Sequence, residues 1–583
     1  MELTHRTLSV RRTAALVAAT AAAALAIPAA ANAAVTGAVT GDTATLTGDA
    51  SNDNIAITVS GANLRHNLAT GAGTFNSSID FDSTLPDDQT LTAAAGRLTI
   101  DGAGGDDIIV GGPNLDTIKG GEGDDRLTGG PNGAGIESIQ GGAGNDVMIW
   151  NNGDGDDSDV GGDGADETQF NNGTADDVMD VAPVGGGAHH FHRVGAGIDI
   201  DMSADTERLN INAFSGNDSL VSAPGTTVAT TIDAGPGNDT ITTGDGADLV
   251  QGGTGADTLS SGAGADRIVG NQGNDTVNAG SGDDTLVWNN GDATDNLNGQ
   301  DGLDRVEANM SGGVAGDAMT LKPAGANVRF DRTNLVPFGL NIASSEVFEL
   351  NGLGGDDTLA TAPGLGALIS VVADGGPGND AFTGGDESDT YFGGLGDDWL
   401  DPGAGIGDAV DGQAGNDTLK VRDGFADLAR GGEGTDNATA DREDVLVDVE
   451  TADVPPAPPA ADTTGTAARV TTKRVTSKLK KGVYTAKIRV SCPASEAGGC
   501  KGTLVLQTAR TVSLGGTRFH AIVASKHYTL NSGQAKTLKV RLPKGVRAVS
   551  RRGTLSLNAI TTNRDAAGNL AQRSSRLAIK LVR

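Results

Sequence analysis

Aromatic residues are scarce in this chain. Phe, Trp and Tyr together make up 3% of 583 residues, which argues against a large, ring-filled core. Cysteine is limited to Cys492 and Cys500. Zinc binding by that pair would need further ligands nearby, and CPASEAGGC holds no histidine or third cysteine. None of the seven histidines is followed by Glu, so no H-E-x-x-H zinc helix exists, and no G-x-S-x-G nucleophile elbow occurs. Beyond the N-terminal run, no segment is apolar for long enough to span a bilayer. Basic residues are the most telling shortage. Ala34 to Thr464 holds 15 Lys+Arg against 73 Asp+Glu, a balance of −58, whereas Gly465 to Arg583 holds 24 against 2, a balance of +22. Two chemically different objects are joined in one chain.

Glycine is abundant, at 89 residues. Without a pattern, that content would indicate disorder. A period is present, however. From Ala234 to Val287 six consecutive nonapeptides follow the form GGxGxDxUx, where U is aliphatic. Their sixth positions are Asp239, Asp248, Asp257, Asp266, Asp275 and Asp284, and their eighth are Ile241, Val250, Leu259, Ile268, Val277 and Leu286. An earlier array places Asp107, Asp116, Asp125 and Asp146 at the sixth position, with Glu137 in a lengthened unit. A later one places Asp380, Asp389 and Asp398 there, and Asp417 and Asp436 after a disturbance near Gly405–Asp408.

Each part of the unit has a physical role. Glycines permit a tight loop with exposed carbonyls, and xUx suits a short strand with one side chain inward. Two units make one coil, so residues eighteen apart lie above one another. Asp239, Asp257 and Asp275 then line one edge of a parallel roll, and Asp248, Asp266 and Asp284 the other. Carboxylates stacked about 4.8 Å apart repel by roughly 1 kcal/mol per pair in water, and by several times that at a protein surface. With so few lysines, a divalent cation is the remaining remedy, and oxygen-only loops suit Ca²⁺.

These nonapeptides resemble the hemolysin-type calcium-binding repeats of RTX proteins. The resemblance implies a parallel β-roll in which several Ca²⁺ ions are held between neighbouring coils. It makes ligands of the sixth-position aspartates named above, together with Asp166 and Asp304, and makes partners of nearby glycine carbonyls such as those of Gly253 and Gly255. It also raises proteases, lipases and toxins as relatives. In this chain the arrays fill most of the length and no catalytic motif accompanies them, so no enzyme is expected; a secreted hydrolase or toxin with an unrecognised site is the alternative.

A larger duplication lies above the small repeat. IWNNGDGDDSDVGGDGADETQ from Ile149 matches VWNNGDATDNLNGQDGLDRVE from Val287, pairing Trp150 with Trp288 and Asp166 with Asp304. AFSGNDSLV matches LGGDDTLA further on. The recurrence of WNNGD favours a structural role, packing over the end of the coil stack. AHHFHRV is the obvious transition-metal candidate, with His190 and His192 on one face of a strand. The duplicate stretch reads ANVRFDRT, with Arg329 and Asp331 at those places, which favours a merely polar exposed face.

The expected fold is all-β: β-roll arrays with strand-rich intervening segments, then a C-terminal β-sandwich. The expected divisions are 1–33 signal peptide, 34–101 degraded repeat or N-terminal cap, 102–149 first array, 150–233 intervening segment, 234–287 second array, 288–374 intervening segment, 375–453 third array, 454–466 Pro-rich linker and 467–583 basic domain. The signal rests on His5, Arg6, Arg11 and Arg12 ahead of AALVAATAAAALAI, with Ala31 and Ala33 at an A-x-A site. The Arg pair raises twin-arginine export, though no bulky hydrophobic follows it closely. An extracellular or cell-surface location follows. There, Cys492 and Cys500 are expected to form a local disulfide contributing about 2–3 kcal/mol. The basic domain alternates apolar and polar residues, and RDAAGNL weakly resembles a turn of Ig-like bacterial surface domains. Its charge suits anionic envelope polymers, but no interleaved aromatics point to nucleic acid. The expected role is structural or adhesive, with folding coupled to Ca²⁺.

Overall fold

A computed structural model describes residues 35–40, 43–60, 63–66, 97–112, 116–131, 136–386, 388–405, 407–455, 468–480, 483–494, 499–509, 512–514, 517–519, 522–542, 554–564 and 570–582. The signal segment 1–33, nearly all of the Pro-rich linker and the body of the RDAAGNL turn lie outside these residues. Among the described residues there is no helix, so none is long and apolar enough to cross a membrane.

The nonapeptide dictates the architecture. In the second array the strand Leu249–Gly255 pairs in parallel with Arg267–Gly273, aligning Val250 with Ile268 and Gly255 with Gly273. On the opposite side of the coil, Thr258–Ser260 pairs in parallel with Thr276–Asn278, aligning Leu259 with Val277. The offset of eighteen is therefore the coil repeat. About 17 turns stack in this way. Each strand sends its U residue inward, giving one column through Ile232, Val250, Ile268, Leu286, Val306 and Phe348, all buried. The facing column runs through Leu220, Ile241, Leu259, Val277 and Leu297. Every coil contributes few apolar side chains, each worth roughly 1.5–3 kcal/mol when fully buried, so stability is spread along the stack instead of concentrated in one core.

Glycine is indispensable where coils touch. Gly255 has φ +145°, and a Cβ there would overlap the Gly237 carbonyl of the coil before. No L side chain fits that approach.

The strand-rich intervening segments continue the same roll. Glu167–Asn171 pairs in parallel with Val147–Asn151 before it and Arg208–Asn212 after it. Each segment also inserts a three-stranded antiparallel meander into one sheet. The first is Val178–Gly185, Ala188–Val194 and Ile198–Met202; the second is Ala318–Ala324, Asn327–Arg332 and Phe338–Ala343. Trp150 stacks on Phe170 with ring centroids 4.1 Å apart, and Trp288 on Phe338 at 3.8 Å. Both tryptophans are buried within the continuous stack, so they pack inside it and not over its end as expected. The reason is that strands on either side of each Trp-bearing strand stay in register.

At the N-terminal side Thr36–Thr40 folds back antiparallel on Thr43–Thr47, which joins Arg97–Gly104 in parallel. The C-terminal residues form separate, mainly antiparallel sheets around their own core, which includes Ile488, Leu504, Leu557 and Ile579. Cys492 and Cys500 are joined by a disulfide, with Cα atoms 5.7 Å apart.

Candidate metal centre

The sixth residue of the unit follows the glycine loop and precedes a strand, so its side chain turns back beneath the loop and is buried. In the second array Asp239, Asp257 and Asp275 stack on one edge and Asp248, Asp266 and Asp284 on the other. Each Asp backbone N–H donates to Oδ1 of the Asp one coil later. Asp239 to Asp257, Asp257 to Asp275 and Asp248 to Asp266 all measure 2.8 Å. Asp266 to Asp284 is 2.9 Å and Asp284 to Asp304 is 3.1 Å. The carboxylates thus form two continuous ladders. Each ladder satisfies one oxygen per carboxylate and leaves the other. Oδ2 of Asp107, Asp125, Asp146, Asp166, Asp239, Asp257, Asp275, Asp284, Asp304, Asp380, Asp398, Asp417 and Asp436 is buried with no hydrogen-bond partner. Such an atom is costly unless a charge compensates it.

The surroundings of that second oxygen repeat as well. A Cβ on Gly252 would lie 2.5 Å from Asp257 Oδ2 and 2.7 Å from the Gly270 carbonyl oxygen. The same pair, an Asp Oδ2 and a glycine carbonyl of the next coil, faces Gly102, Gly120, Gly141, Gly352, Gly375 and Gly393. A carboxylate oxygen and a carbonyl, both acceptors, therefore converge with no donor between them. Gly253 and Gly255 sit in the same loop with φ +102° and +145°.

Burial pushes these carboxyls up, and their ladder neighbours add to it. Asp107 rises to about 8, with Asp125 and Asp53 beside it, despite the N–H of Asp53. Asp125, Asp239, Asp266, Asp275, Asp304 and Asp398 rise to about 7. Three predicted positions depart from the rule. Asp116 accepts the Gly112 N–H on Oδ2 and leaves Oδ1 bare, while Glu137, in the lengthened unit, reaches the Gly130 N–H with its longer side chain. Asp389 accepts the Tyr391 hydroxyl on Oδ2 at 2.9 Å and donates its N–H to Asp408 Oδ1 at 3.0 Å.

The ladders also run through residues that the strict repeat does not reveal. Asp53 donates to Asp107 at 2.6 Å, Asp177 to Asp218 and Asp218 to Asp239 at 2.7 Å, Asp275 to Asp295 at 2.8 Å, Asp317 to Asp357 at 2.6 Å and Asp357 to Asp380 at 2.7 Å. Their signal is the surviving D-x-U of SNDNIA, GNDSL, TDNL and GDDTL, with the glycines partly lost. Three ladder segments end on a glutamate, where Asp166, Asp304 and Asp436 donate to Glu207, Glu346 and Glu450. In the irregular coils, Asp408, Asp423 and Asp427 bring ligand oxygens within 4.8 Å of one another. Burial and the charges of Asp408 and Asp423 push Asp427 to about 9.

The donor set is all oxygen, negative and backed by carbonyls, which fits a hard cation of flexible coordination. The family model of the RTX calcium-binding nonapeptide repeat (4 copies) matches residues 101–132, 131–149, 224–259, 251–286 and 372–400. The chain carries RTX calcium-binding repeats. The matched stretches contain Asp107, Asp125, Asp146, Asp239, Asp257, Asp275 and Asp398, all members of carboxylate ladders of this kind. No curated protein matches the chain. In these arrays the bare ladder oxygens and the first-glycine carbonyls are the atoms that would face a calcium ion. A bound ion would supply the positive charge that the chain itself lacks there.

Proposed function

We propose that this chain is an exported, calcium-dependent β-roll protein with a structural or adhesive role at the cell surface, its folding coupled to calcium. The observation that carries this reading is the pair of buried carboxylate ladders, each with one oxygen per residue left without a donor. Without a counter-charge, neighbouring ladder members repel and oppose coil stacking. With one, stacking and ion binding reinforce each other, because the oxygens that meet at a site come from successive coils. The ladder aspartates and the carbonyls of glycines such as Gly253, Gly255 and Gly270 act as ligands in this proposal. The absence of an H-E-x-x-H or G-x-S-x-G motif supports a non-enzymatic role.

The basic C-terminal module, read as an Ig-like sandwich, serves in the same proposal as a tether to anionic envelope polymers, and the N-terminal segment directs export. Circular dichroism with added Ca²⁺ and then chelator tests the coupling. The expected result is β-structure that appears with the ion and is lost with chelator. An unchanged spectrum together with no calorimetric Ca²⁺ binding would overturn it.

A further inference from the structure

The two antiparallel meanders are copies whose inward faces agree and whose outward faces do not. Inward, Met179 corresponds to Met319 and Phe191 to Phe330, all buried. Arg193 Nε bonds the ladder residue Asp177 at 2.8 Å, and its counterpart Arg332 lies 3.2 Å from Asp317. Outward, the second meander is electrically closed, with Lys322 and Arg329 both bonded to Asp331. The corresponding face of the first meander carries His190, His192, Asp180, Asp199 and Asp201.

Strand register brings these five together. His192 stands opposite Asp180 on one neighbouring strand and Asp199 on the other, while His190 stands opposite Asp201. His190 Nδ1 lies 2.8 Å from Asp201 Oδ1, and His192 Nδ1 lies 3.0 Å from Asp180 Oδ2. A carboxylate only accepts, so in the neutral imidazoles these contacts place the proton on Nδ1 and leave Nε2 as a lone-pair donor. Both Nε2 atoms turn toward one oxygen, Asp199 Oδ1, at 3.2 Å for His190 and 4.0 Å for His192. That oxygen can be met by a proton on His190, which Asp201 and Asp199 both favour, or by a metal ion that takes the proton's place.

The geometry points to a divalent transition-metal site, of the kind that takes Zn²⁺, made by His190 Nε2, His192 Nε2 and Asp199. Ligand atoms of a tetrahedral zinc site stand about 3.3 Å apart, given bonds of roughly 2.0–2.1 Å. His190 already meets that separation from Asp199; His192, at 4.0 Å, has to turn its 32% exposed ring to reach it, and the two imidazoles have to draw together, since the three ligand atoms do not yet lie within 4.8 Å of one another. Asp201 and Asp180 act as the outer carboxylates that fix the tautomer and raise the basicity of the ligating nitrogens. Imidazole nitrogens suit Zn²⁺ and other late first-row ions but not Ca²⁺, so this site is chemically separate from the ladders. The three protein ligands leave a fourth position open to solvent or to an external donor. In the second meander the corresponding residues, Arg329, Asp331 and Gly339, cannot form it.

The test is Zn²⁺ titration calorimetry on the untagged full chain with calcium in excess, which keeps zinc off the ladders. One zinc per chain is expected. Its affinity should fall at least ~100-fold in H190A/H192A, and about 10-fold in Asp201→Asn, the outer-carboxylate change. Co²⁺ on the unaltered protein should give the visible absorption of a four-coordinate nitrogen-ligated ion, a readout independent of whether the variants fold. No zinc binding in excess calcium, unchanged affinity in the double variant, or cobalt absorption of a six-coordinate oxygen-only ion would each overturn the site.

Discussion

Neutralising one ladder carboxylate should make the calcium-free roll more stable. Asp398 is the clearest position. Its Oδ1 accepts the Asp380 N–H at 2.7 Å and its own N–H donates to Asp417 at 2.9 Å. Its Oδ2 has no partner and shares the space beside Gly393 with the Gly412 carbonyl. Burial, then the charges of Asp380 and Asp417, push Asp398 from 3.8 to about 7. At 1.36 kcal/mol per pH unit, ionising it in the folded state costs up to about 4 kcal/mol, or roughly 2–3 after allowance for solvent screening at the loop. The sign follows from linkage. A raised folded-state pKa contributes stability that is complete below the unfolded value and is lost as pH rises through about 7. Asp398→Asn keeps the accepting oxygen and places an N–H₂ beside the Gly412 carbonyl. Near pH 8 in chelator, the variant should therefore be more stable by ~2–3 kcal/mol, and its further gain on adding calcium should be smaller. Near pH 4 the difference should shrink, because the parent carboxyl is then protonated. Denaturant melts read by Trp399 fluorescence would measure this, since its ring neighbours Asp398 in sequence and lies 3.6 Å beneath Lys420 Nζ. A variant less stable in chelator at pH 8, or one with an undiminished calcium increment, would refute the reasoning.

Asp159→Leu should also stabilise the protein. Asp159 occupies a U position, in register with Ile139 and Met202, is 2% exposed, and has one oxygen bonded to Thr168 and the other bare; its counterpart in the duplicate is Leu297. The net gain should be about 1–3 kcal/mol by thermal melt after the loss of the Thr168 bond, and a loss would show that the carboxyl has a function of its own. Gly252→Ala and Gly255→Ala should separate ion binding from coil packing. The first inserts a methyl between Asp257 Oδ2 and the Gly270 carbonyl and should lower stability with or without calcium while also removing most of the calcium increment. The second forces φ +145° on a side chain and should cost ~1–3 kcal/mol or more with or without it. Equal effects of the two in both conditions would contradict the assignment. Calcium should displace protons, since ladder carboxyls sit near 7 to 8. Calorimetry in buffers of different ionisation enthalpy near pH 6.5 should show release that fades by about pH 9, with affinity rising over that range; no buffer dependence would be the contrary result.

The roll and most of its ladder were legible because the nonapeptide couples three signals with one period: a glycine loop, an acid and an inward aliphatic. The register of Val250 on Ile268 and the edges assigned to Asp248, Asp257 and Asp266 follow from that period alone. Where one signal fails, the reading fails with it. Asp218, Asp295 and Asp357 keep the acid and the aliphatic but lose glycines, and the meanders lengthen the spacing to the next coil, so counting by nine no longer reaches them. Glu207, Glu346 and Glu450 take the place of an aspartate from a different position in the loop, reaching the ladder by side-chain length. Asp159 was hidden for the opposite reason: its position in the period demands an apolar residue. The histidine face depends on which residues three antiparallel strands set opposite one another, and strand periodicity fixes the face of His190 and His192 without fixing their partners Asp180, Asp199 and Asp201.

The same geometry explains why the acidic region carries so few basic residues. A lysine could in principle neutralise a ladder carboxylate, but its ammonium would have to reach Oδ2, and the nearest backbone position on the loop is the first glycine of the unit. At Gly252, Gly270, Gly375 and Gly393 even a single methyl would meet the carboxylate, so no side chain of any length can start there. The second and third glycines are closed by positive φ and by the carbonyl of the preceding coil, as at Gly253 and Gly255. Outward residues of the short strands point away from the loop, and inward ones belong to the aliphatic columns. Within the nonapeptide arrays the covalent routes to the bare oxygen are therefore blocked by the packing that creates it, and only where a meander enters does an arginine arrive, Arg193 at Asp177 and Arg332 at Asp317; elsewhere the counter-charge is left to a small dissolved ion or a proton. Between those two the outcome depends on pH and on the free calcium concentration, so a fold that stacks carboxylates on glycine loops responds to both.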